Sequence, residues 1–161
     1  MTKRSKAREV AMQLLFQKDF NKNTQRAEVE RFVGDRLRDK SLIPFALQLY
    51  DGVLGKLEEI DKGLSAAADN WKLHRMAGVD RNVLRLGSYE MLHLSDSTPA
   101  PVALDEAIEL ARRFGSQDSP SFVNGVLDKI HKTQGTGIEA PQPTESAPAE
   151  TPAVPPAPAA E

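Results

Sequence analysis

The stretch VDRNVLRLGSYEMLHL, residues 79–94, is apolar on most sides at helical spacing. Val83, Leu84, Leu86, Tyr89, Met91, Leu92 and Leu94 leave no wide polar face, and a helix apolar nearly all round is stable only when other elements surround it. Such a segment demands a central position with other helices packed about it. No stretch sustains the two-residue alternation of a half-buried strand, and β-branched residues are few. The fold class is therefore expected to be all-α.

The flanking segments supply the surrounding helices. A first helix is expected over about residues 5–20, and a second from a Thr24 cap through Val29, Phe32, Val33 and Leu37. A third starts near Ser41 with Pro44 in its first turn, where a missing N–H is tolerated, and continues through Phe45, Leu49, Val53, Leu57 and Ile60. A break is expected near residues 61–63, then a short helix to about residue 68. Asp80 is the expected cap of the central helix. The segment STPAPV ends it, and the next helix runs to Phe114, with Leu104, Ala107, Ile108 and Ala111 inward and Glu109 and Arg113 as an exposed pair. Gly115 closes that helix. Ser119 and Pro120 open a last one, with its stripe at Val123, Val126, Leu127 and Ile130, giving about seven helices.

The hydrophobic content of 40% in 161 residues suits one compact domain, expected over residues 1–134. Residues 135–161 carry seven of the eleven prolines and almost no large apolar group, so they are expected to be a disordered tail. The tail also holds four acids and no base, which leaves 21 bases against 19 acids in the body. Without Cys there is no disulfide and no Cys-ligated metal, and His74, His93 and His131 are scattered, so neither metal nor cofactor is expected. No glycine phosphate loop or nucleophile elbow is present, which argues against an enzyme. No apolar run approaches a bilayer span, and the cytoplasm is the default compartment. Asp105, Glu106 and Glu109 read as the wet face of an amphipathic helix. Gly52, Gly87 and Gly125 lie inside helices and read as points of close packing.

Function should lie in residues that packing does not require. Residues 1–18 hold five bases, Lys3, Arg4, Lys6, Arg8 and Lys18, against the single acid Glu9. A frayed terminus, an acidic protein, an anionic membrane and a nucleic-acid backbone are the alternatives for this arm. The membrane reading is the poorest, because the apolar stripe beside the arm is needed for the core. Met12 and Phe16 lie roughly opposite the stripe of Ala7, Val10, Ala11, Leu14 and Leu15, so they need a second surface, most simply another helix of the same domain. Arg81 and Arg85 stand four apart and repel, which calls for Asp80, Glu90 or solvent nearby. Phe122 flanks the last stripe beside Asp118, Ser119 and Ser121; it reads either as a capped, partly buried core ring or as a base-stacking ring at a helix N-terminus.

Three segments in this order, KRSKAREVAMQLLF, VDRNVLRLGSYEML and PVALDEAIELARRFGSQDSPSFVNGVLDKI, resemble the NusB family of bacterial transcription antitermination factors. The resemblance spans roughly residues 3–132. It implies two packed helical bundles that bind the single-stranded boxA element of ribosomal RNA leaders. It also implies NusE, a small-subunit ribosomal protein, as partner, and RNA polymerase as the assembly joined; self-association of the free protein is left open.

By that resemblance Lys3, Arg4, Lys6 and Arg8 form the basic motif facing phosphates, and Phe16, Asp80, Arg81, Arg85, Ser121 and Phe122 are further RNA contacts. Asp118 falls at the NusE border. This arm mixes Lys with Arg, and residue 121 is Ser where some family members carry a base, so fewer forked donors are offered. A NusB-like protein-docking module without RNA binding is the alternative. An RNA methyltransferase would need a further α/β cofactor domain, of which this chain shows no sign.

Overall fold

The computed structural model describes residues 2–69 and 71–133. The expected tail, residues 135–161, lies outside them. The described residues form seven α-helices: α1 Lys3–Phe20, α2 Arg26–Arg36, α3 Ile43–Gly55, α4 Leu57–Ala67, α5 Gly78–His93, α6 Ala100–Phe114 and α7 Ser119–Thr133. Short 3-10 turns at Lys40–Leu42 and Leu73–Arg75 precede α3 and α5.

The helix that had to be central is so. α5 packs against α1, α3, α4, α6 and α7. α1–α3 form one bundle and α4–α7 a second, and the core runs across both through Leu49, Leu64, Leu84, Leu86, Leu127 and Ile130, all fully buried. Burying these side chains, at about 1.5–3 kcal/mol each, supplies much of the drive to fold. Close approach at α5 needs glycine. A Cβ on Gly87 would stand 2.8 Å from Leu127 Cδ1 and 3.2 Å from Ala107 Cβ, so α6 and α7 sit where no larger residue fits. Gly52 likewise faces the Tyr89 ring, whereas Gly125 has open space beside it and serves no such contact.

Several helix ends differ from the sequence-based expectation. α1 begins two residues early because the Thr2 hydroxyl accepts the Ser5 N–H at 3.1 Å, so Lys3 and Arg4 are helical and not part of a frayed arm. Thr24 does not cap α2; its hydroxyl donates to the Asn21 carbonyl at 2.7 Å. The break between α3 and α4 falls at Lys56, where φ is −118° and ψ is 16°, and α4 runs unbroken through residues 61–63. Ile60, Leu64 and Ala68 form a continuous buried stripe there, which outweighs Gly63. Asp80 lies inside the first turn of α5, whose cap position is Ala77. Gly115 does close α6.

Candidate nucleic-acid interface

The first turns of α1 sort the basic residues by helical phase. Lys3 is 81% exposed and stands 3.4 Å from Asp39, and Lys6 is half exposed and pairs with Glu9 at 2.7 Å. Arg4 is exposed, with its guanidinium 4.5 Å from the Phe45 ring centroid, a cation–π contact that stiffens the side chain without neutralising it. These three present charge to solvent.

Arg8 does not. It is buried, its Nε donates to both carboxylate oxygens of Glu90 at 2.9 Å, and its Nη2 donates to Glu90 Oε1 at 2.5 Å. Its Nη1 lies 3.5 Å from Glu106, which also accepts from the Ser5 hydroxyl at 2.8 Å, so Glu106 is part of this network and not a wet-face residue. Thr98 donates to Glu90 as well, at 3.1 Å. The expectation that Arg8 faces phosphate with the other three is therefore corrected. Arg8 stands three residues before Ala11 and seven before Leu15, which puts it on the buried stripe.

Arg81 and Arg85 find their offsetting acids elsewhere than expected. Asp19, at the end of α1, accepts from Arg81 at 2.8 Å, Asn82 at 2.8 Å and Arg85 at 3.1 Å. Asp61, on α4, takes a two-pronged contact from Arg85 at 2.8 and 2.9 Å. Glu90 is committed to Arg8, and Asp80 has one buried carboxylate oxygen with no partner among the described residues. Burial pushes the Asp19 carboxyl up, but hydrogen bonds from Arg81 and Asn82 and the charges of Arg85 and Arg81 outweigh it and hold Asp19 below the usual carboxylate value. Arg85 is thus tied into a network joining α1, α4 and α5. Arg81 also donates to the carbonyls of Met76 at 3.3 Å and Leu73 at 3.4 Å, pinning the turn before α5.

Met12 is buried in the core of its own domain. Phe16 is half-buried against Gly78, where a Cβ would stand 2.7 Å from its ring, and it lines a groove with Phe32, Val79 and Phe114. Its ring centroid is 5.2 Å from that of Phe20, which is 77% exposed. Phe122 is half-buried and meets Trp71 edge to face, with centroids 6.1 Å apart. Ser121 and Asp118 are exposed beside it. Ser119 is buried, and its hydroxyl accepts the Ser116 N–H at 2.9 Å, which tightens the turn between α6 and α7.

Two clusters result. Lys3, Arg4 and Lys6 occupy one end of α1, and Phe16 lies about 20 Å further along its axis. Lys6, Gln13, Gln17 and Phe20 share one side of the helix between them, within about 60°. The charged and aromatic groups therefore lie toward opposite ends of α1 and do not form one pocket.

Sequence reasoning missed Asp19 and Asp61. A carboxylate in the last turn of α1 opposes the helix dipole, and that anomaly at Asp19 was the available sign of cations nearby. Among the described residues no cluster of His, Asp and Glu could hold a metal ion, and no helix is long and apolar enough to cross a membrane.

Comparison with known proteins agrees with this architecture. The NusB family model matches residues 5–132. The transcription antitermination protein NusB of Desulfitobacterium hafniense (strain Y51) is 43% identical over 126 residues, covering 77% of this chain and 84% of that protein. A structure of NusB from T. maritima superposes with a TM-score of 0.72 at 36% identity, covering 88% of this chain and 95% of the other. A crystal structure of antitermination factors NusB and NusE in complex with dsRNA gives a TM-score of 0.72 at 27% identity, covering 82% and 98%.

Proposed function

Because the chain belongs to the NusB family, we propose that it is a non-enzymatic antitermination factor that binds single-stranded boxA RNA of ribosomal RNA leaders together with NusE. The observation that carries the reading is the exposed trio Lys3, Arg4 and Lys6, held in helical register at one end of α1. A cationic surface fixed in place attracts a phosphate backbone without ordering cost at the moment of binding. Phe16, further along α1, and Phe122, on α7, offer ring surface to bases, and Ser121 offers a hydroxyl. Asp118 fits the border with NusE, and RNA polymerase is the assembly the complex joins in the cytoplasm.

Arg8 and Arg85 leave the list of RNA contacts, since each already serves buried or half-buried carboxylates. Arg81 is mostly engaged and acts by holding the turn before α5. Asp80 stands at the start of α5, where its carboxylate can accept from a base amino group.

The three exposed cations of α1 contribute to the salt dependence. They are expected to add about −2 to the slope of log affinity for single-stranded RNA against log salt, about 0.7 per neutralised phosphate. Replacing Lys3, Arg4 and Lys6 with Gln should make the slope shallower by about 2. Fluorescence anisotropy of a labelled strand measures both, and an unchanged slope in the triple variant would remove α1 from the interface.

A further inference from the structure

Trp71 is the single tryptophan of the chain and is 38% exposed, an unusual place for the largest apolar side chain. Its position is built, not accidental. The turn after α4 passes through Asp69, whose φ of 44° lies in the left-handed region, and the Trp71 N–H then donates to the Ala68 carbonyl at 3.0 Å. Lys129 of α7 holds the Asp69 carboxylate at 2.6 Å, and Arg81 of α5 holds the carbonyls of Leu73 and Met76. The segment is thus pinned from two helices, and its indole stands against Phe122 with the ring planes crossed at 66°. Crossed in this way, Phe122 does not cover the indole by stacking.

The charge around the ring suits a polyanion. Lys72, His74 and Arg75 follow it directly and are all exposed. Asp69 is neutralised by Lys129, while Asp118, one turn before Phe122, is exposed.

We infer that Trp71 is a second base-stacking ring beside Phe122, extending the RNA path onto the segment between α4 and α5, with Lys72 and Arg75 beside the backbone. The inference rests on the RNA-binding reading above. An exposed aromatic flanked by cations is how single strands are gripped without base-specific hydrogen bonds.

The indole reports on itself. Titrating the full chain with a labelled single-stranded RNA should quench tryptophan emission in step with the rise in anisotropy. An abasic strand of equal length, bound by charge, should leave the emission unchanged. Trp71→Ala should weaken RNA binding about tenfold, and Trp71→Phe should restore most of it. If RNA binds while emission and Trp71→Ala affinity stay at their starting values, Trp71 is not a contact and the RNA-binding reading stands without it. Equal quenching by the abasic strand, or quenching by NusE alone, overturns base stacking. Failure of any RNA to bind overturns both.

Discussion

Arg8→Ala is expected to lower folding stability by about 3–5 kcal/mol, the range for stripping one partner from a buried ion pair. The magnitude follows from Glu90. Its side chain is 1% exposed, and Arg8 supplies three of the hydrogen bonds to its carboxylate, leaving only that of Thr98 after truncation. A buried carboxylate without its cation is strongly disfavoured, whereas replacing both partners with apolar groups of similar volume can be nearly neutral. Urea denaturation of Arg8→Ala and of the pair Arg8→Met with Glu90→Leu should therefore differ, with the pair recovering much of the loss. A fully stable Arg8→Ala protein with weakened RNA binding would instead return Arg8 to the phosphate-facing set.

Arg85→Ala is the second large effect, expected at about 2 kcal/mol because Asp19 and Asp61 keep some access to water. Arg85→Lys should recover little of it, since an ammonium cannot reproduce the two-pronged contact with Asp61. The same network has a pH signature. With the folded pKa of Asp19 below its unfolded value, its contribution is complete above the ordinary carboxylate range and is lost as pH falls through the folded pKa. Asp19→Asn should accordingly flatten the acid side of the stability profile. An unchanged acid limb would show that Asp19 contributes nothing through its charge.

These two arginines also mark where the sequence stops being readable. Position in a helical stripe is local information, so the central place of α5 and the inward row of α7 were legible from apolar spacing alone, whereas on α6 the buried row is Ala103, Ala107, Leu110 and Ala111, with Leu104 and Ile108 half-buried. The phase that buries Arg8 was equally present, but the run of charge at the start of the chain drew it into the arm. Asp19 and Asp61 reach Arg85 through space from other helices, and no spacing within α5 encodes them. The turn at Lys56 was likewise unreadable, because Gly63 looked like the weaker point until the stripe of Ile60 and Leu64 held α4 together. Lys3, Arg4 and Lys6 are exposed, but they are helical from Lys3 onward where the sequence suggested a flexible arm. Trp71 lacked any signal beyond its basic neighbours, since its contact with Phe122 depends on how α4 and α7 pack.

The most direct test of RNA recognition with a protein partner is the affinity of the full chain for a boxA-like single strand and for a scrambled strand, each with and without purified NusE. The expected result is tighter binding of the boxA strand, with a preference over the scrambled strand that grows when NusE is present. Equal affinity for both strands under both conditions, with NusE still bound, would contradict it and leave a protein-docking module.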